Sequence, residues 1–172
     1  MPISVQRNRR KTLQLSVNSA GDIIIKAPLK LPLEQINTFI RQKQSWIVRA
    51  QEKQRSRIAL PTGAQNFRQQ KEAARTLVQT KLEHFNQHYH FSWKRISIRN
   101  SSTRWGSCSR QMNLNFNYKI IYLPPTIQDY IIVHELCHLA EMNHSPRFWN
   151  CVAKTIPDYK SRRQQLHNYQ LR

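Results

Sequence analysis

Apolar and polar residues alternate through Thr12–Val17 (TLQLSV), a period of two that predicts a strand, and Ile23–Ala27 (IIIKA) resumes a strand after it. Asn18–Asp22 (NSAGD) between them supplies turn chemistry, so residues 3–27 read as a β-hairpin. The period then lengthens. From Pro32 onward, Leu33, Ile36, Ile40 and Ile47 share one face, while Arg41, Lys43, Arg49 and Lys53 fall elsewhere. That pattern predicts an amphipathic helix opened by the proline. Leu60-Pro-Thr-Gly63 interrupts the pattern and is the best linker candidate. A second amphipathic helix is predicted over about 68–89, with Ala74, Leu77, Val78, Leu82, Phe85 and Tyr89 at helical spacing. Two strands follow: Arg95–Ile98, running on toward Arg104–Cys108 (RWGSC), and Leu114–Leu123, which begins inside the alternating NLNFNY. Pro124-Pro125 stops the second strand and starts another helix. A last helix around 146–154 and a basic tail complete the chain, and no internal repeat is present. A length of 172 residues suits one domain. The expected division is a hairpin plus helix over 1–60 and a core over 67–172.

The helix after the prolines breaks the amphipathic rule. Ile127–Ala140 (IQDYIIVHELCHLA) is apolar on nearly every side after its first turn, which predicts a helix in the middle of the protein. The polar interruptions there are His134, Glu135 and His138. Burying an unpartnered ionisable group costs several kcal/mol, on the order of a small domain's stability, so these residues need a reason to be there. A metal ion supplies one. His134 and His138 stand four residues apart, so both imidazoles leave one helix face and can converge on a single ion. Glu135 is rotated about 100° from His134, placing its carboxylate within reach of a water on that ion without ligating it. This is the HExxH spacing of zinc hydrolases.

A catalytic zinc normally takes three protein ligands and keeps the fourth position open. His144 is the third candidate. In an unbroken helix it would lie about 9 Å beyond His138 along the axis and could not converge. The helix must therefore end first. Asn143 tolerates the left-handed conformation that closes many helices, and Ser145-Pro146 reads as the cap and first position of a new one.

Charge is the outlier in composition: 28 Lys and Arg against 9 Asp and Glu give a net +19. Such an excess predicts attraction to polyanions without defining a fold. It lies mostly away from the histidines, since residues 1–60 hold 12 basic and 3 acidic side chains and residues 111–172 hold 7 and 4. No apolar run approaches 18 residues, and MPISVQRNRRK has no hydrophobic segment behind its charges. Three widely spaced cysteines suit a reducing compartment better than a disulfide framework. A cytoplasmic protein without a membrane span is the expectation.

The distance from His138 to His144 resembles the metzincin signature HExxHxxGxxH, but Glu141 stands where that pattern has glycine and no methionine turn follows. A closer resemblance is to the YgjP-like metallopeptidases, small bacterial zincins related to the SprT-like and WLM proteases. It is carried by Arg104–Cys108 (RWGSC), Asn113–Asn115 (NLN), Leu123–Pro125 (LPP), Val133–Trp149 (VHELCHLAEMNHSPRFW) and Pro157–Lys160 (PDYK). The resemblance implies an α+β, zincin-like fold: a small mixed sheet packed on the HExxH helix, with an N-terminal hairpin and amphipathic helices attached. It also implies His134, His138 and His144 as Zn2+ ligands and Glu135 as general base, the same roles that the residue chemistry gives.

Three functions follow as expectations. The first is a zinc-dependent peptidase acting on peptide or protein. The second is a zinc-dependent hydrolase of a phosphorylated substrate such as a nucleoside triphosphate, for which the basic side chains would hold phosphates. The third is a nucleic-acid-associated protease or binder of SprT-like character. Arg104 and Trp105, in a strand expected beside the site, are candidates for aligning a substrate, with Arg104 available to an anion or a developing oxyanion. Tyr159 is a candidate hydrogen-bond donor to an oxyanion. Phe148 and Trp149 are expected to wall the metal pocket, and Cys108 and Cys137 to be buried thiols.

Overall fold

A computed structural model describes residues 3–18 and 20–171. Its chain divides into two compact units, 1–57 and 58–172.

In the first unit, β1 (Ile3–Asn8), β2 (Gln14–Val17) and β3 (Ile23–Pro28) form a sheet in the order β1-β3-β2. The expected hairpin is present as β2 and β3, paired antiparallel from Gln14↔Lys26 to Val17↔Ile23. Asn18 makes the turn: its Oδ1 accepts from the backbone N–H groups of Ala20 at 3.0 Å and Asp22 at 2.8 Å, and Gly21 takes a φ of +88°. Ser19, in that stretch, lies outside the described residues. The sequence pattern did not reveal β1, a separate strand parallel to β3. All six of its residues are exposed, so it shows no alternation of buried and exposed positions. Ile23, Ile25 and Ala27 alternate inward from β3 and meet Ile36 and Ile47. Those two isoleucines belong to two helices rather than one, α1 (Leu33–Gln42) and α2 (Gln44–Arg55), divided at Lys43. Neither glycine nor proline marks that division.

The second unit contains every candidate site residue. It comprises β4 (Ile58–Ala59), α3 (Ala64–Asn86), β5 (Arg95–Arg99), β6 (Gly106–Cys108), β7 (Asn113–Asn117), a 3-10 helix (Tyr118–Tyr122), α4 (Pro125–Cys137), α5 (Pro146–Ala153), α6 (Tyr159–Leu166) and β8 (Tyr169–Gln170). The stretch expected to be a linker is part of this unit. Leu60 joins its core, and the Pro61 carbonyl accepts from the Tyr118 hydroxyl at 3.2 Å. The boundary falls earlier because β4 pairs in parallel with β8, a partner over a hundred residues away that no local pattern reveals.

A mixed sheet, β5-β7-β6, pairs β5 in parallel and β6 antiparallel with β7, leaving β6 at the edge. Leu114 and Phe116 face the core, whereas Asn115 lies on the other face across from Ser97 and Ser107. The strand expected to reach Leu123 ends at Asn117. There the asparagine Oδ1 accepts from the Lys119 N–H at 3.1 Å and caps the 3-10 helix, and Tyr118, Lys119 and Ile120 are buried in succession instead of alternating. Lys119, buried with them, donates from Nζ to the Leu171 carbonyl at 2.6 Å, tying the C-terminal segment to the core.

Helix α4 is surrounded, as its composition requires. It packs against α3, α5, α6 and β6, and Ile127, Tyr130, Ile131, Ile132, Val133, Leu136 and Cys137 are all buried. The architecture is α+β, a small mixed sheet against a central helix, as the resemblance implies.

Candidate metal centre

Pro124 is extended and Pro125 occupies the first turn of α4, where a missing N–H costs nothing. The helix that starts there carries His134, Glu135 and, as its C-terminal cap, His138. Its last turn tightens: the N–H groups of Ala140 and Glu141 both donate to the Cys137 carbonyl, at 3.1 and 3.0 Å. The chain then reverses, as convergence of His144 requires, but not by a left-handed Asn143. Positive φ among the described non-glycine residues occurs only at His90 and Met112. Asn143 acts through its side chain instead, its Oδ1 accepting from the Ser145 N–H at 3.0 Å. Ser145 in turn caps α5, its Oγ accepting from the Phe148 N–H at 3.4 Å, with Pro146 in the first turn.

This path brings His134, His138 and His144 together, one ligand atom from each lying within 4.8 Å of the others. The Nε2 atoms of His134 and His144 are 3.1 Å apart. His138 has its Nδ1 2.9 Å from the Glu141 carbonyl oxygen, to which that nitrogen donates. Such a bond fixes the tautomer and leaves Nε2 with a free lone pair. The Tyr130 hydroxyl lies 3.5 Å from His134 Nδ1. Phe148, fully buried, backs the cluster, its ring centroid 4.8, 4.4 and 4.8 Å from those of His134, His138 and His144. His134 and His138 are half-buried and His144 is exposed, so the cluster opens to solvent on one side.

Burial holds the His134 and His138 imidazoles neutral. Burial pushes His134 down to about 3, with His138, His144 and Arg163 adding to the shift. His138 is lowered as well, chiefly by burial. A neutral imidazole is the form that binds a metal. Glu135 is shifted the other way, up to about 8 by burial, with the Arg104 guanidinium opposing. Its Oε2 is buried with no hydrogen-bond partner among the described residues. Against it lies Gly106 of β6, whose absent Cβ would sit 2.5 Å from both Cγ and Oε1 of Glu135. A cavity of about 200 Å3 opens over these groups, lined by Arg104, Trp105, Gly106, Tyr130, His134 and Glu135, with Ile131 and Leu166.

Arg104 and Trp105 thus lie beside the histidines, at the cavity. Tyr159 lies elsewhere, stacked on Trp149 with centroids 4.9 Å apart, and Trp149 stacks in turn on His144 at 5.5 Å. Phe148 and Trp149 wall the cluster as expected. Cys137 is buried, Cys108 is half-buried in β6, and both are free thiols. Sequence reasoning missed three contributors. Tyr130 precedes His134 by four residues, so helical spacing alone places it beside that imidazole. Gly106 gave a weaker signal, one of only three glycines in the chain and inside a strand pattern. Arg163, over the Trp149 ring at 5.3 Å, sits on α6, where the sequence suggested only a basic tail.

Comparison with known proteins places the chain. No curated protein matches it. Among solved structures, the crystal structure of the metallopeptidase zymogen of Pyrococcus abyssi abylysin is similar, with a TM-score of 0.48 and 24% identity over 52% of this chain and 90% of that one. The family model for the YgjP-like metallopeptidase domain matches residues 11–71 and 62–169, nearly the whole length. By that match the chain belongs to the YgjP-like family of metallopeptidase domains.

Proposed function

We propose that this chain is a zinc-dependent peptidase in which His134, His138 and His144 hold the metal and Glu135 is the general base. The observation that carries the reading is one juxtaposition: three imidazoles whose ligand atoms lie within 4.8 Å, beside a buried carboxylate oxygen with no partner. Three imidazole nitrogen donors open to solvent on one side suit Zn2+ with a position left for substrate or water. The orphaned Oε2 favours the same conclusion, because a buried carboxylate without a partner is costly unless a reactant completes it.

Zinc bound there supplies Lewis acidity, which brings the pKa of a coordinated water near 7 and polarises a carbonyl oxygen. The remaining steps belong to the chain. Glu135 accepts the water's proton at its free carboxylate oxygen as the water attacks the peptide carbon, then delivers that proton to the departing amine. Gly106 leaves the carboxylate room to sit against the strand. The Glu141 carbonyl orients His138, and Phe148 holds all three rings from behind. Arg104 faces the same cavity and is placed to receive the negative charge that develops on a substrate oxygen. Edge strand β6 offers unpaired backbone groups along which an extended peptide can align.

The test is a screen of zinc-loaded protein on unfolded peptides and on nucleoside triphosphates, with Glu135→Gln in parallel. Peptide cleavage lost in Glu135→Gln while zinc is retained supports the reading. Cleavage of nucleotides alone, or peptide cleavage indifferent to Glu135→Gln, contradicts it.

A further inference from the structure

On the solvent side of the β5-β7-β6 sheet lies a second hollow, of about 210 Å3, lined by Arg99, Ser101, Arg104, Ser107, Asn115 and Asn117 together with Gly106 and Phe116. It shares Arg104 and Gly106 with the cavity over Glu135, so the two adjoin at the edge strand.

The hydrogen bonding in this hollow is one-sided. Asn115 Nδ2 donates to Ser107 Oγ at 3.2 Å, which occupies that oxygen as an acceptor and leaves the Ser107 O–H to donate outward. Ser101 Oγ accepts from the N–H groups of Thr103 and Arg104, both at 3.2 Å, and lies 3.5 Å from Thr103 Oγ1, so this hydroxyl is spent on holding the loop. Asn117 spends its amide on the carbonyls of Ser101 at 2.7 Å and Arg104 at 3.0 Å, fixing the loop that presents Arg104. Arg99 and Arg104 are exposed, and neither guanidinium makes a hydrogen bond or ion pair among the described residues. No carboxylate lines the hollow. Two guanidinium groups and the Ser107 hydroxyl, with no carboxylate in the lining, make the recess rich in donors.

We infer that this hollow is an anion-binding subsite that holds a carboxylate side chain of the peptide substrate beside the scissile bond. The identity of the substrate rests on the peptidase reading; the affinity for an anion does not. Arg99 and Arg104 supply charge and donors to the two carboxylate oxygens, and the Ser107 hydroxyl adds a further donor. An uncharged amide of the same shape forfeits the charge-assisted bonds to the two guanidinium groups. Discrimination between Glu and Gln therefore follows from chemistry rather than size.

The experiment measures binding of peptide sets to full-length, zinc-loaded Glu135→Gln protein, which removes cleavage from the readout. Each set carries Glu, Gln, Ser or phosphoserine at one position, scanned along the sequence. The expected result is at least about tenfold tighter binding for Glu over Gln at one register, the scale of a charge-assisted hydrogen-bond pair. That preference should fall to near unity in Arg99→Gln and in Ser107→Ala. A Glu preference of the same size at every register is general attraction to a basic protein and overturns the subsite. So does a preference that survives both substitutions. A gain for phosphoserine over Ser with none for Glu over Gln overturns the carboxylate assignment. If the Glu preference is found but wild type cleaves none of the peptides, the peptidase reading fails while the anion site stands.

Discussion

Gly106→Ala tests the geometry of the proposed base without touching a ligand or an ionisable group. An added Cβ would lie 2.5 Å from Cγ and Oε1 of Glu135 and 2.7 Å from Cδ. Non-bonded carbons settle at about 3.5–4.0 Å, so one partner must yield by roughly 1 Å. Helix α4 cannot move cheaply, because Ile131, Ile132, Val133 and Leu136 around Glu135 are buried. Strand β6 is held on one side by β7, with Gly106 opposite Phe116. The Glu135 side chain is the softest element and is displaced. Overpacking of this kind costs about 1–3 kcal/mol of stability. A shift of about 1 Å in a catalytic group costs on the order of a hundredfold in rate. The assay is kcat/KM on whichever peptide the wild type cleaves, with zinc content and thermal midpoint measured on the same samples. The expected outcome is a loss of about a hundredfold, zinc at the wild-type ratio and a midpoint lower by several degrees. Placed in a Glu135→Gln background, Gly106→Ala should add almost no further loss, because both act through one carboxylate. Wild-type kcat/KM in the folded Gly106→Ala protein would refute the reasoning.

Two further outcomes follow from the same cluster. Glu135 rises from 4.5 to about 8 in the fold, so its contribution is present below the unfolded pKa and lost as pH climbs toward 8. His134 falls from 6.5 to about 3, so its contribution is present above 6.5 and lost as pH drops toward 3. Between 4.5 and 6.5 the two slopes oppose each other. Metal-free protein should therefore hold a plateau of stability between pH 4.5 and 6.5 and lose about 2 kcal/mol between 6.5 and 8, a fall that urea unfolding should find missing in Glu135→Gln. Phe148→Ala removes a fully buried ring touching all three imidazoles. Chemical denaturation should show a loss of about 3–5 kcal/mol, and zinc titration a weaker site, with excess zinc recovering part of the stability; unchanged zinc affinity would show that the ring does not hold the imidazoles.

What the sequence made legible is what local spacing controls. His134 and His138 meet because an apolar helix turns 3.6 residues at a time, and α4 could be placed within a few residues from its prolines and its unbroken hydrophobic surface. The return of His144 was readable as a necessity, though its means was not. Asn143 promised a left-handed residue by type and serves instead as a side-chain acceptor for Ser145, a choice between two conformations that asparagine permits equally. The remaining gaps are long-range. β1 and β8 have no pattern of their own and exist because β3 and β4 present edges to them. The Leu114–Leu123 run looked like one strand because burial of three consecutive residues is compatible with a buried strand as well as a 3-10 turn. Gly106 carries the same lesson for the site. Its value lies in what faces it, Glu135 on an element 29 residues later, and a contact of that kind appears only when strand and helix are packed together.

The most direct measurement of the central claim is zinc content per chain after zinc loading and exhaustive dialysis, in wild type and in His134→Ala, His138→Ala and His144→Ala. One zinc per wild-type chain, with a large loss of affinity in each folded variant, is the predicted result. No retained zinc in the wild type, or undiminished zinc in any of the three variants, would contradict the assignment of these histidines as one metal site.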